Sequence, residues 1–383
     1  MASRKTRAGR QTTTLARLEK QFVQAWAKQR RVQAPTAEKV LWLTRILHAL
    51  SKSPLARDFA LMGGSAIVFL HRNMYRLSTD LDLDFVGNSR LGCNGQREVS
   101  SRVAKDRREL EAIAGGLGMR FTPKETGGPR FVQYELRYKS NYRPTDSVEL
   151  DVSYRYGHTV LDPVSKEWPV ATESEQAGFP VQTFAPEELY AAKAIAMLDT
   201  KERERLDFPE EEYGDIHLIT KRKIRHLYDV YLLADDILNG TLPGFNVGVF
   251  RDLFVLFGMT RIKGFEYFRG NAIGAYTDED IAKELKSVVL SDVSLATADV
   301  MKWTVRRFLD IHVFNYRTRE HRFMEDFRGG QFRPEDLFED KLATRLRRTQ
   351  YYLEVLGKVA PVKPKKAKKQ APRKRRTARD SGS

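Results

Sequence analysis

The stretch Leu61-Met-Gly-Gly-Ser-Ala-Ile-Val-Phe-Leu70, with Arg76-Leu-Ser-Thr-Asp-Leu-Asp-Leu-Asp-Phe85 five residues beyond it, decides how this chain is read. It sets a Gly-Gly-Ser turn ahead of a strand that bears Asp80, Asp82 and Asp84. Side chains alternate between the two faces of a strand. The three aspartates therefore share one face, and Leu81, Leu83 and Phe85 the other. Like charges crowded on a short strand repel each other. A divalent cation among them reverses that logic. Paired glycines let backbone N–H groups approach a phosphate closely. A phosphate cradle beside metal-binding carboxylates is what phosphoryl or nucleotidyl transfer needs.

Outward from this strand the chain reads as two parts. Towards the N-terminus, Leu15, Leu18, Phe22 and Trp26 recur at helical spacing. A second helix opens at Pro35, with Val40, Leu43, Leu47 and Leu50 on one face, and Pro54 closes it. The aspartate strand is expected at about 79–86 and a helix over 99–117. Two alternating segments follow, Arg130 to Tyr138 and Ser147 to Tyr154, and read as neighbouring strands. On the second, Glu149 and Asp151 face one way, so a second strand offers carboxylates to the site. From Pro186 the pattern turns helical, because proline suits a first turn and Glu187 and Glu188 favour its positive end. Helices are expected over 187–199, 221–238, 248–257, 278–289, 297–315 and 336–357, with an acidic loop at about 202–215. The expected organisation is a basic arm over 1–35, a catalytic domain over 36–185, a helical domain over 186–357 and a disordered basic tail over 358–383.

Charge is distributed unevenly along the 383 residues. Residues 1–31 hold nine Lys/Arg against one acid, and residues 358–383 hold eleven against one. Of the net +16, the two ends thus carry +18 and the body about −2. Such ends either keep a protein soluble or neutralise the phosphates of a nucleic acid. The acid-free first 18 residues have the composition of a transit peptide and equally of a basic arm on a cytoplasmic protein, and the second reading is preferred. One cysteine, Cys93, leaves no internal disulfide or cysteine-based zinc site and suits a reducing cytoplasm. No run of 18 apolar residues occurs, so no transmembrane helix is expected.

Two charged residues fall among apolar ones. Lys193 lies on the stripe of Leu189, Ala196 and Met197. It either snorkels into water or has an anionic partner. Asp229, in Arg225-His-Leu-Tyr-Asp229, is either paired with a local arginine or tyrosine hydroxyl, or part of a site.

Taken in order, Gly63-Gly64-Ser65, Arg76-x-Ser78-x-Asp80-Leu-Asp82-Leu, the Asp151 strand, Glu188-x-x-Ala191-Ala-Lys193 and Leu227-Tyr-Asp229 resemble the AbiEii/AbiGii nucleotidyltransferase toxins of bacterial toxin–antitoxin systems, the group that includes the MenT toxins. The resemblance spans roughly 58–238. Gly-Gly-Ser with Asp-x-Asp alone marks the wider DNA polymerase β-like superfamily; the Lys193 and Leu-Tyr-Asp helices narrow it. It implies an α/β (α+β) nucleotidyltransferase domain with a mixed sheet, a C-terminal helical domain, and a site between them. Gly63, Gly64, Ser65 and Arg76, with Lys193, would hold the nucleoside triphosphate. Asp80, Asp82 and Asp151 would bind Mg2+, and Asp229 would position the acceptor or the nucleotide. The implied acceptor is an RNA, the 3′ end of tRNA in characterised relatives, and the implied partner a cognate antitoxin. A nucleotidyltransferase acting on a protein or small molecule is the alternative, as is a non-catalytic nucleic-acid-binding module. Against a metal-dependent nuclease stands the Gly-Gly-Ser turn, since hydrolysis needs no triphosphate cradle.

Overall fold

The computed structural model describes residues 15–72, 74–91, 96–124, 130–155, 157–205, 224–261, 276–285, 288–290, 295–313 and 315. The expected helix over 336–357, both ends of the chain and most of the acidic loop lie outside them.

Seven strands make one mixed sheet. They are β1 (Phe59–Met62), β2 (Asp80–Phe85), β3 (Arg120–Lys124), β4 (Phe131–Tyr138), β5 (Asp146–Ser153), β6 (Val164–Glu167) and β7 (Pro180–Thr183), in the order β3-β4-β5-β2-β1-β7-β6. The aspartate strand β2 is central. It runs antiparallel to β1 and parallel to β5, with Asp82 opposite Met62 on one side and Asp151 on the other. A parallel pair requires a crossover, and here the crossover carries a helix and the β3–β4 hairpin.

The helices are α1 (Lys20–Arg30), α2 (Ala34–Ser51), α3 (Gly63–Ser65), α4 (Asn88–Leu91), α5 (Gln96–Gly116), α6 (Pro186–Arg205), α7 (Ile224–Leu238), α8 (Val247–Arg261), α9 (Asp278–Asp280) and α10 (Ala298–His312). α2 and α5 cover one face of the sheet. That face is apolar because alternate residues point to it: Leu81, Leu83, Leu136, Val148, Leu150 and Val152 are all buried. Trp42 of α2 packs on Tyr138, with ring centroids 5.0 Å apart. The helices α6, α7, α8 and α10 pack on one another beyond the sheet. The last strand ends at Thr183 and α6 begins at Pro186, so an α/β sheet layer is followed by a helical layer.

Several expectations change. Leu15 and Leu18 precede α1 rather than belong to it. Their segment is extended because Ala16 is held by Gly118 O and Lys139 N, at 2.8 and 3.0 Å. The apolar run after Ser65 forms a π-helical turn, Ala66–His71. α6 continues to Arg205, into the stretch expected as loop. The helix expected over 278–289 ends at Leu285, because Val288 and Val289 pair with Leu77 and Arg76 instead. The strands β3, β6 and β7 are only four or five residues long, and the prolines in β3 and β7 hid them. Among the described residues no helix is long and apolar enough to cross a membrane.

Candidate functional site

The site begins where β1 ends. Met62 leaves the sheet and Gly63 takes φ +70°, a left-handed conformation open to glycine. A side chain there would collide with the Asp82 carboxylate. Gly64 is less tight, since a Cβ would stand 3.0 Å from both Arg76 Nη2 and Ser78 Oγ. Ser65 is buried, and its hydroxyl donates to the backbone carbonyl of Asp80 at 2.5 Å. Ser65 thus fastens the Gly-Gly-Ser turn to the aspartate strand. Ser65 serves that fastening in this structure, whereas the sequence pointed to triphosphate contact.

The carboxylates sit on the sheet face opposite α2 and α5. Register places Asp80 beside Glu149 and Asp82 beside Asp151. Neighbours in register on one face have Cβ atoms about 5 Å apart. Gln133 of β4 donates to Asp151 Oδ1 at 2.8 Å, and Lys124 of β3 pairs with Glu149 at 2.6 Å. Asp80 has its side chain 44 % exposed, and Arg225 Nη1 of α7 lies 3.9 Å from it. Asp84 shares the face, but is buried, and so differs from the other two. Oxygen donors on one face, with the missing side chain of Gly63 leaving Asp82 its room, suit a hard divalent cation. Among the described residues no three His, Cys, Asp or Glu side chains converge as a finished cage.

Behind the carboxylates lies a buried ionic cluster. Asp229 of α7 is fully buried. It accepts Arg76 Nε and Nη2, both at 2.8 Å, and the Tyr75 hydroxyl at 2.6 Å. Lys193 Nζ of α6 stands 3.1 Å from its other oxygen. Burial by itself would raise the Asp229 pKa, but the charges of Arg76 and Lys193 and the hydrogen bonds overrule it and hold the carboxyl well below its usual range. For Arg76, burial opposes the charge and Asp229 outweighs it, so the pKa is raised. For Lys193, burial wins. Its pKa is lowered, with Arg76 pushing the same way and Asp229 and Asp82 only partly offsetting them.

This geometry bears on three residues the sequence singled out. Lys193 does not snorkel; its ammonium faces Asp229 and feels Asp82. Arg76 was expected to touch the nucleotide, yet its guanidinium is buried against Asp229, because a charge that deep must be neutralised where it lies. Asp229 was expected to position acceptor or nucleotide, yet it binds the two basic residues and Tyr75, and so positions them. Tyr75, Gln133 and Arg225 enter the site without having been singled out. Gln133 lay on an expected strand, but its approach to Asp151 follows only from register. Arg225 stood in the quoted Arg-His-Leu-Tyr-Asp run, whose spacing gave it no role.

Comparison with known proteins agrees with this geometry. The family described as nucleotidyl transferase AbiEii toxin, type IV toxin–antitoxin system, matches residues 45–310. Among solved structures, the chain is similar to MenT4, a nucleotidyltransferase toxin from Mycobacterium tuberculosis H37Rv, with a TM-score of 0.54 at 15% identity, over 90% of this chain and 99% of that one. No curated protein matches.

Proposed function

The chain belongs to the AbiEii family of nucleotidyltransferase toxins of type IV toxin–antitoxin systems, and from that premise we propose that it transfers a nucleoside monophosphate from an NTP to the 3′ end of an RNA, a tRNA above all. The observation that carries the reading is the register of Asp82 and Asp151 on neighbouring strands, with the Gly63 turn lying against Asp82.

In this reading the acceptor hydroxyl attacks the α-phosphorus in line. A new P–O bond forms as the bond to pyrophosphate breaks. Asp151, on the far side of Asp82 from the Gly-Gly-Ser turn, takes the hydroxyl proton. Lys193 meets the negative charge of the triphosphate, and Asp229 with Arg76 holds Lys193 in place. Asp80 and Asp82, with Asp151, would hold Mg2+, whose chemistry is to stabilise charge on the attacking and departing oxygens. The site architecture fits NTP as donor, and membership of a toxin–antitoxin family points to a cognate antitoxin as partner. The basic ends would add affinity for RNA without choosing its sequence.

The experiment is to incubate the full chain with each labelled NTP, Mg2+ and total RNA, and to identify the labelled species. Label in tRNA 3′ ends is expected. Label in protein alone, or in nothing with any NTP, defeats the proposal.

A further inference from the structure

We propose that Phe131 is a stacking platform for the terminal base of the RNA acceptor, holding the nucleotide whose 3′-hydroxyl is to be extended beside the carboxylates; this rests on the transfer to RNA proposed above.

In-line transfer sets the attacking and departing oxygens on opposite sides of the phosphorus. The departing pyrophosphate belongs to the Gly-Gly-Ser turn, which continues β1 past Met62, the residue opposite Asp82. The acceptor must therefore approach from the other side of the Asp82–Asp151 pair, over β5 and β4. Phe131 opens β4 on that side. Register sets it opposite Ser153, and Ser153 opposite Asp84. Because β1 runs antiparallel to β2, the turn leaves the sheet toward Asp80. Phe131 thus lies beyond Asp151 from the turn, both across the strands and along them. Alternation puts it on the face of Gln133, whose amide reaches Asp151, while Tyr134 is buried on the other face. Diagonal neighbours across such a pair, here Phe131 and Asp151, stand about 7–8 Å apart. That is comparable to the reach of one nucleoside from its base to its 3′-hydroxyl.

Single exposed apolar residues are common and need no special reading. This one differs in its place and its neighbours. The phenyl is 48 % exposed. Among the described residues the other large hydrophobic side chains so exposed, Val300, Trp303 and Ile311, are all on α10. The ring is therefore not part of an apolar patch such as a protein partner needs. Its neighbours are basic. Arg130 precedes it and donates from Nη1 to the Arg155 carbonyl at 3.1 Å, and Arg155 is exposed. A ring among arginines suits a nucleotide, whose base stacks on an aromatic face while its phosphate meets cations. Every base has such a face, so the platform holds the acceptor's end without choosing its sequence.

The test is steady-state transfer from labelled NTP to total RNA by the full chain, with F131A, F131L and F131Y beside the wild type. F131A and F131L should raise KM for RNA by roughly tenfold. Their kcat and KM for NTP should be unchanged, as when binding common to ground and transition state is lost. F131Y keeps the ring and should match the wild type. F131L carries the test if F131A melts early. Wild-type KM for RNA in F131A and F131L, while the wild type labels RNA, would overturn this proposal alone. So would F131L alone matching the wild type, which would make the contact apolar rather than stacked. A raised KM for NTP would put the donor base on the ring and overturn it too. A wild type that labels no RNA would overturn the transfer reading and this proposal with it.

Discussion

Arg76 and Asp229, 153 positions apart in the chain, meet edge to edge through two hydrogen bonds of 2.8 Å. Arg76 belongs to the connection between β1 and β2, and Asp229 to α7. Their pairing locks the aspartate strand to the helices, and the same carboxylate holds Lys193. Burial makes the arrangement unforgiving. Removing one partner of a buried ion cluster leaves the others uncompensated, at a cost on the order of 3–5 kcal/mol.

Asp229→Ala is therefore expected to lower stability by that order, about 3–5 kcal/mol, and activity with it. Chemical denaturation checks this. Because the folded pKa of Asp229 lies below its unfolded value, its contribution is present above the ordinary carboxylate range and is lost as pH falls through the folded value. The wild type should lose more stability on strong acidification than the variant does. A variant as stable as the wild type would show that the cluster is not holding the fold.

Lys193 should control the alkaline side of the activity profile. Burial lowers its pKa, so its charge is lost at a lower pH than that of an ordinary lysine. The ratio kcat/KM for NTP, which reports the free enzyme, is expected to decline on the alkaline side, at a lower pH than an ordinary lysine would give. Lys193→Ala should reduce it by roughly 100-fold. Lys193→Arg should keep the charge at high pH and restore only part of the rate, since a planar guanidinium fits a point-charge role poorly. An alkaline limb unaltered in Lys193→Arg would assign it to another group.

Gly63→Ala tests the turn. The backbone there is left-handed, and a methyl group would strike the Asp82 carboxylate. Displacing a site carboxylate by about an ångström costs on the order of 100-fold in rate. Turnover should fall by that much, while α2 and α5, on the far face of the sheet, keep the protein folded. Normal turnover in a folded Gly63→Ala protein would remove the turn from the site.

Asp80→Ala separates chemistry from folding. Asp80 is half-buried, its side chain 44 % exposed, and Arg225 lies 3.9 Å away. Surface substitutions of this kind change stability by about 0.5 kcal/mol or less. Transfer should nevertheless drop by about 1000-fold, as for loss of a charge stabilising the transition state. Labelled-nucleotide assays beside a thermal melt read both.

Deleting 358–383 removes eleven Lys/Arg and one acid. RNA affinity should weaken and its salt dependence flatten, because fewer counterions are released. The rate at saturating RNA should stay within about twofold, since base choice does not come from phosphate contacts. A change in which RNA is labelled would mean that the tail reads sequence or shape.

Some of this was legible from the sequence. The alternation of Asp80, Leu81, Asp82 and Leu83 is a period-two signal, and β2 appears within a residue of its expected ends. The same signal carried β4 and β5, and with them Asp151 and Glu149. Lys193 announced itself as a charge in an apolar stripe. What could not be read was direction across space. Nothing local in Tyr75 or Arg76 says that they turn inward to α7, and Gln133 looks like any polar residue on a half-exposed strand. Those relations depend on register and on which helix packs where, which the periodicity of single segments does not encode.

The position of Asp229 in the chain also sets a clock. Every strand of the sheet lies before residue 184, while the carboxylate that secures Arg76 and Lys193 comes later, at 229. Domains fold from the N-terminus as synthesis proceeds. On the ribosome, then, the sheet with its aspartates can form while the lysine beside it still lacks its anchor. The residue that fastens Lys193 and Arg76 is thus among the later ones to leave the ribosome.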